Sequence, residues 1–269
     1  MTGLAKPFLA LAMLTLSALA LSVAWAASGP CLFPDVIGTH RVLAVETEGG
    51  PRFGKLQYRH TLPLGEREVV LTFDDGPSRS ATARILEVLG QHCVKATFFQ
   101  VGIWARHRRA IARQVADAGH TLATHSWSHP KDLSLLDLAA ARLEVDKGFE
   151  GVSNAVGRPI ARFLRYPGLH DSHLLNRYAQ ARDYAVFSCD VATDDWRGID
   201  ARSIVERTLT NLRRAGDRGI ILFHDTKVAT AEALPMLFKR LHEGGYRIVH
   251  MEATQGYRAG ERQRLTEAN

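Results

Sequence analysis

The sequence predicts an α/β fold in which parallel strands alternate with helices and close into a barrel. Two observations lead there. Short apolar runs rich in Val, Ile, Leu and Phe alternate with longer helix-like stretches through the middle of the chain. Side chains able to do acid–base or metal chemistry gather at or just past the ends of those runs. A parallel barrel keeps its site on the rim formed by the C-terminal ends of its strands, so clusters in that position point to a catalytic barrel.

In chain order, residues 1–26 carry Lys6, a long Leu- and Ala-rich stretch and the small-x-small triplet Ala24-Trp25-Ala26, which predict a cleaved export signal and a periplasmic or secreted protein. Left uncleaved, the same stretch would be a membrane anchor, and no second apolar span follows. Residues 27–66 contain several Gly and Pro and no strong hydrophobic period, and are expected to pack on the barrel as an N-terminal extension. Val69-Val70-Leu71 then runs into Thr72-Phe73-Asp74-Asp75-Gly76-Pro77, a buried strand that Gly76-Pro77 ends. A helix is expected over 80–91, a strand over 96–101, a helix over 110–118, a strand over 121–124 and a helix over 134–152. Short strands near Phe163, over 185–189 and over 219–223 follow, and a helix over 231–243 with a strand over 246–250 completes the set. Residues 254–269 are polar and expected to form a loose tail.

Asp74 and Asp75 are neighbours at a strand end. Successive side chains on an extended chain point to opposite sides, so the two carboxylates can share a site only if the backbone turns between them, which would leave one free to bind a metal and the other to move a proton. The alternative is an Asx turn in which both cap backbone amides. Downstream, His125 and His129 stand at i and i+4 in His125-Ser126-Trp127-Ser128-His129, a spacing that on one helical turn projects both imidazoles to the same face. With Asp75 they would form a two-His, one-Asp set that leaves positions open for water and substrate. Read alone, a pair at this spacing is more often incidental, as surface or N-terminal-turn histidines.

The order of these and later motifs resembles the polysaccharide deacetylase family of metal-dependent carbohydrate esterases, which includes chitin, chitooligosaccharide and peptidoglycan N-deacetylases. Five pieces carry the resemblance: Thr72 to Pro77; Ala96-Thr97-Phe98-Phe99 with Val101-Gly102; Gly119-His120 leading into the His125–Pro130 stretch; Arg165-Tyr166-Pro167-Gly168; and Asp194-Asp195-Trp196 followed by Ile221-Leu222-Phe223-His224-Asp225. It implies a distorted barrel of about seven strands, a catalytic domain over 67–253 and hydrolysis of N-acetyl groups on an N-acetylglucosamine-type polysaccharide or oligosaccharide. Residue by residue, it makes Asp74 the general base, Asp75, His125 and His129 the ligands of one divalent ion, and His224 the general acid. Arg165 would orient Asp74, Asp195 would pair with His224, Trp196 and Leu222 would line the acetyl pocket, and the oxyanion would meet an amide near Gly168. Zinc is the expected ion, with cobalt, nickel and manganese suited to the same donors.

The third motif departs from the family's arginine-proline-proline-aromatic-glycine. Here it reads Arg165-Tyr166-Pro167-Gly168-Leu169, without an aromatic at the fourth place, so Tyr166 either offers a displaced stacking surface or is packed. That departure keeps open a metal-dependent amidase of small non-sugar amides, and a noncatalytic carbohydrate-binding barrel is the third reading. Asp190 and Asp194 compete with Asp195 on sequence and are expected to cap turns.

A net charge of +6 is moderately basic, and Arg106-His107-Arg108-Arg109 reads as a solvated helix face. No nucleic-acid motif is present and none is expected as a partner. Of three cysteines, Cys93 and Cys189 lie in apolar surroundings and are expected to be buried inert thiols, with a bridge from Cys31 to either as the alternative. Oligomeric state is not legible.

Overall fold

The computed structural model describes residues 36–257. The expected export signal, Cys31 and most of the expected C-terminal tail lie outside the described residues.

The described chain begins with β1 (Thr39–Val45) and β2 (Arg52–Phe53), both inside the segment expected to pack on the barrel as an N-terminal extension. There follow β3 (Glu68–Asp74), α1 (Thr82–Gln91), β4 (Thr97–Gln100), α2 (Gly102–His107), α3 (Arg109–Asp117), β5 (Thr121–Thr124) and α4 (Leu138–Val156). Then come β6 (Ile160–Ala161), β7 (Phe163–Leu164), α5 (His173–Ala181), β8 (Ala185–Phe187) and β9 (Val191–Ala192). The chain continues through α6 (Ala201–Arg214), β10 (Gly219–His224), α7 (Val228–Glu243), β11 (Arg247–Ala253) and β12 (Gly256–Tyr257).

Every residue of β3 is buried, as a parallel strand covered on both faces requires. Its side chains alternate between two apolar clusters. Val69, Leu71 and Phe73 face the helices, where they meet Ile85, Leu89, Phe149 and Leu237; Val70 faces the barrel interior with Phe99, Phe163, Phe187 and Ile220. Local caps set the helix starts: Asp137, Ser172 and Asp200 accept the N–H groups of Ala140, Leu175 and Ser203 at the heads of α4, α5 and α6.

Ten of the strands form one all-parallel sheet in the order β1-β11-β3-β4-β5-β7-β8-β2, with β10 pairing both β3 and β9. All of the strands expected from the sequence are present; β1, β2 and β9 are additions. The barrel is distorted because β8 and β9 do not pair. The N-terminal segment fills that seam: Ser188 N–H donates to Phe53 O at 2.8 Å and Leu56 N–H to Cys189 O at 2.9 Å. Asp190 pins the segment from the other side, accepting Lys55 N–H at 2.8 Å, the Thr61 hydroxyl at 2.6 Å and Ile220 N–H at 2.7 Å. The described part of this segment, residues 36–66, therefore supplies strands and closes the seam, in addition to packing on the barrel.

Two further expectations change. The start of the expected loose tail is ordered, because β12 pairs antiparallel with β6 and Tyr257 is buried against Phe149. Cys93 is disulfide-bonded, not a free thiol, with its partner outside the described residues, while Cys189 is free and buried as expected. Among the described residues no helix is long and apolar enough to cross a membrane.

Candidate active site

The two adjacent aspartates diverge because Asp75 has φ of 75°, a left-handed turn that Asp tolerates better than most residues. The turn needs Gly76: a Cβ there would fall 2.0 Å from Oδ2 of the buried Asp225. Asp74 points inward and is 2% exposed. Arg165, fully buried, donates to its Oδ1 at 2.7 Å, to the Thr72 hydroxyl at 2.9 Å and to Ser188 O at 2.9 Å, and its guanidinium lies 4.2 Å from the centroid of Phe99. A buried charge held by this many partners has one orientation available, and so does the carboxylate it holds.

Asp75 faces the other way, toward the two imidazoles. Its Oδ1 lies 3.5 Å from His125 Nε2 and 3.1 Å from His129 Nε2, and the donor atoms of the three residues lie within 4.8 Å of one another. The histidines sit in a loop and not on a helical turn as the i, i+4 spacing suggested; positive φ at Ser126 (70°) and His129 (58°) curls the loop, and Ser126 Oγ accepts His129 N–H at 3.1 Å. Nδ1 of His125 is 2.7 Å from Arg165 O, a carbonyl that only accepts, so Nδ1 carries the proton and Nε2 presents a lone pair to Asp75. Burial lowers the pKa of His125, which also favours that neutral form. Asp75 Oδ1 is itself buried without a hydrogen-bond partner. A lone pair and a carboxylate oxygen facing one another repel unless a cation stands between them, so the donor set fits a divalent ion.

His224 stands at the end of β10, whose register places it beside Asp74 at the end of β3. Its Nδ1 is 2.7 Å from Asp195 Oδ1, while Asp195 Oδ2 accepts the His224 N–H at 2.8 Å and the Thr230 hydroxyl at 2.6 Å. Burial alone would lower the His224 pKa, but the Asp195 hydrogen bond and charge, with Asp74 and Asp75 behind it, raise it to about 9. The imidazolium is then the dominant form near neutrality.

The remaining sequence-nominated residues divide. Asp190 caps backbone groups at the seam, and Asp194 pairs at the surface with Arg207 and Arg197, so neither competes with Asp195. Leu222 is 8% exposed at the barrel mouth, and Trp196 is exposed with Arg197 stacked on it at 4.6 Å. Tyr166 is 1% exposed: it is packed and offers no stacking face. Gly168 has φ of 61°, and a Cβ there would meet the His170 ring at 2.7 Å.

Sequence reasoning missed four supporting residues. Thr72 braces Arg165, and Thr230 braces Asp195. Asp225 donates its N–H to Asp74 O at 3.1 Å and accepts from Thr82 at 2.7 Å; burial pushes its carboxyl up to about 7. Arg108, read as part of a solvated face, donates to Pro77 O at 2.7 Å behind the aspartate turn. Thr72 and Asp225 lie inside quoted motifs, but Arg108 and Thr230 reach the site only through tertiary contact and carry no local signal.

Comparison with known proteins agrees with this geometry. Residues 61–187 match the family model for polysaccharide deacetylase. A peptidoglycan-N-acetylglucosamine deacetylase of Bacillus cereus is 31% identical over 199 residues, covering 72% of this chain and 70% of its own length. A chitooligosaccharide deacetylase of Sinorhizobium fredii is 33% identical over 211 residues, covering 71% of this chain and 95% of its own. Among solved structures, a peptidoglycan deacetylase of Bdellovibrio bacteriovorus superposes with a TM-score of 0.73 at 28% identity, covering 82% of this chain and 61% of that one.

Proposed function

This chain belongs to the polysaccharide deacetylase family, and from that premise we propose that it hydrolyses the N-acetyl groups of an N-acetylglucosamine-type polysaccharide or oligosaccharide, releasing acetate and a free amine. The observation that carries the reading is the opposed wiring at one rim: Asp74 clamped by Arg165, a metal-donor triad on Asp75, His125 and His129, and His224 paired with Asp195 at the neighbouring strand end.

An acetamide is a weak electrophile with a poor leaving group, so both ends need help. A divalent ion held by Asp75, His125 and His129, zinc by donor type, would polarise the carbonyl and acidify water. Asp74, with Oδ1 tied to Arg165, takes the proton of the attacking water on Oδ2. The N–H of Gly168 donates to the developing oxyanion, and Leu222 and Trp196 flank the methyl group. His224 gives its proton to the departing amine, and Asp195 stabilises the imidazolium before transfer. Asp74 and His224 thus act as separate base and acid, each with its own positioning residue. The Leu- and Ala-rich N-terminus supports export to a compartment where such glycans lie.

The test is acetate release by the zinc-loaded protein from N-acetylglucosamine oligomers and from peptidoglycan, beside a panel of small ureides and amides. Release from the glycans that ceases on chelation supports the reading. Turnover of the small amides alone would replace it with the amidase.

A further inference from the structure

The segment that closes the barrel seam also builds one wall of a cleft that runs along the barrel flank, from Tyr58 and Asp171 at the rim end to Gly49 and Gln180 at the other. Residues 36–60 lie before the span matched by the family model, so this wall is not part of the matched core. β2 runs parallel to β8, with Arg52 opposite Val186 and Phe53 opposite Phe187. The loop after Phe53 therefore emerges at the same end of the barrel as Asp74, His125 and His224. α5 starts at that end and returns down the flank. Between them lies a cleft of about 660 Å³ whose lining includes Arg52, Tyr58, Arg59, His60, His173 and Arg177.

Its charge is one-sided. Among the described residues, none of Arg52, Arg59 and Arg177 has a carboxylate within ion-pair distance. Asp171, the carboxylate in the lining, already accepts the Tyr58 hydroxyl at 2.8 Å and Asn176 Nδ2 at 2.7 Å. Three planar cations against one engaged anion suit an incoming oxyanion, which guanidinium groups recognise in a fork geometry. Tyr58 adds an aromatic body, with the Arg52 guanidinium 5.6 Å from its ring centroid.

The wall is also joined to the catalytic turn. Gln57 Nε2 donates to Leu169 O at 2.7 Å, and Tyr58 holds Asp171 two residues further on. The first contact is made to Tyr166-Pro167-Gly168-Leu169 itself, the turn that lacks the family's aromatic and whose Tyr166 is packed inward, and the second to the residue just beyond it. The 52–60 segment therefore lies against the chain that follows the third motif.

We propose that this cleft is a subsite for a carboxylate on the glycan, so that the enzyme prefers N-acetylated chains bearing acidic sugars to neutral chitin-type chains. The inference rests on the glycan reading above and deepens it. A sugar held at the acetyl site extends its chain along the rim, and a neighbouring residue with an ether-linked carboxylate, as in muramic acid, presents that group to Arg59 and Arg177.

The test measures binding as well as turnover. An N-acetylglucosamine–N-acetylmuramic acid oligosaccharide and its methyl ester, identical except for the charge, are titrated calorimetrically into the zinc-loaded Asp74→Asn protein with and without Arg59→Ala and Arg177→Ala. Both arginines are exposed, and thermal melting checks that the double variant folds. The expected result is affinity for the acid about tenfold above that for the ester, a preference that collapses in the double variant and partly returns with Arg59→Lys and Arg177→Lys. Equal affinities for acid and ester, a preference that survives the alanines, or no binding of either would overturn the subsite. Acetate release from neutral oligomers by the parent enzyme reports separately on the deacetylase reading, so a failed subsite and a failed function give different results.

Discussion

Asp74 and Asp75 are the same side chain at adjacent positions, yet they occupy opposite electrostatic regimes. Asp74 is sealed under the rim, with Arg165 at 2.7 Å fixing one oxygen. Asp75 sits across a left-handed turn, partly exposed, with a buried oxygen that has no hydrogen-bond donor and two imidazole nitrogens at 3.1 and 3.5 Å. Burial would raise the Asp75 pKa, but the His129 imidazole 3.1 Å away and the other histidines around it hold it well below the usual carboxylate range. One φ angle separates a carboxylate positioned to exchange a proton with water from one that stays anionic and seeks a cation. Chemical role here follows from backbone geometry and partners, not residue type.

The comparison breaks most visibly on the Asp75 side. His125→Ala is expected to lose both metal and activity, with turnover down about a thousandfold or more; bound zinc counted by elemental analysis beside acetate release checks it, and retained metal would remove His125 as a ligand. Next in size is His224→Ala, which should keep its metal and lose about 10²–10⁴ in kcat. Near-normal turnover in that variant would take the acid role from His224.

A subtler effect concerns pH. His224 must be protonated to serve as acid, so activity falls as pH rises through its pKa, raised to about 9 chiefly by Asp195 against the opposing effect of burial. A bound divalent ion adds positive charge nearby and moves that limb lower. Asp195→Asn removes the charge that raises the pKa, so its kcat/KM profile should lose its alkaline shoulder and fall at lower pH than the parent's. An unmoved limb would show that another group titrates.

The smallest expected effect lies away from the site. Arg41 on β1 grips Glu68 on β3 through two bonds of 2.9 and 2.7 Å. The hydrogen bond from Arg41, opposed by burial, lowers the Glu68 pKa from its ordinary 4.5 to about 2. Stability from this pair is present above pH 4.5 and is lost as pH falls through about 2. Arg41 is partly exposed, so Arg41→Ala should cost only about 1–2 kcal/mol near neutrality, read by denaturant unfolding. The difference from the parent should shrink in acid without changing the division between Asp74 and Asp75.

Much of the barrel was legible because its strands are short, fully apolar runs ended by Gly, Pro or a polar cluster, as at Thr72–Pro77. The residues that the structure gathers at the rim, Asp74, Asp75, His125, His129 and His224, stood out in the sequence because strand ends concentrate them. The N-terminal strands were not: Arg52-Phe53 pairs for two residues, and β1 alternates half-buried and exposed residues along a sheet edge. The histidine loop was misread because i, i+4 spacing fits a helix, whereas two left-handed residues bring the rings together in a loop. α5 and α6 were passed over although Ile204, Val205, Leu209 and Leu212 mark a buried stripe on α6. Tyr166 could not be placed because its burial depends on helices and loops distant in sequence.

The division between Asp74 and Asp75 is tested most directly by preparing Asp74→Asn and Asp75→Asn side by side and measuring zinc stoichiometry and acetate release in each. Asp74→Asn is expected to bind one zinc per chain with acetate release reduced at least about a thousandfold, and Asp75→Asn to lose both zinc and release. Equal zinc loss in the two variants, or release by zinc-loaded Asp74→Asn at the parent rate, would contradict it.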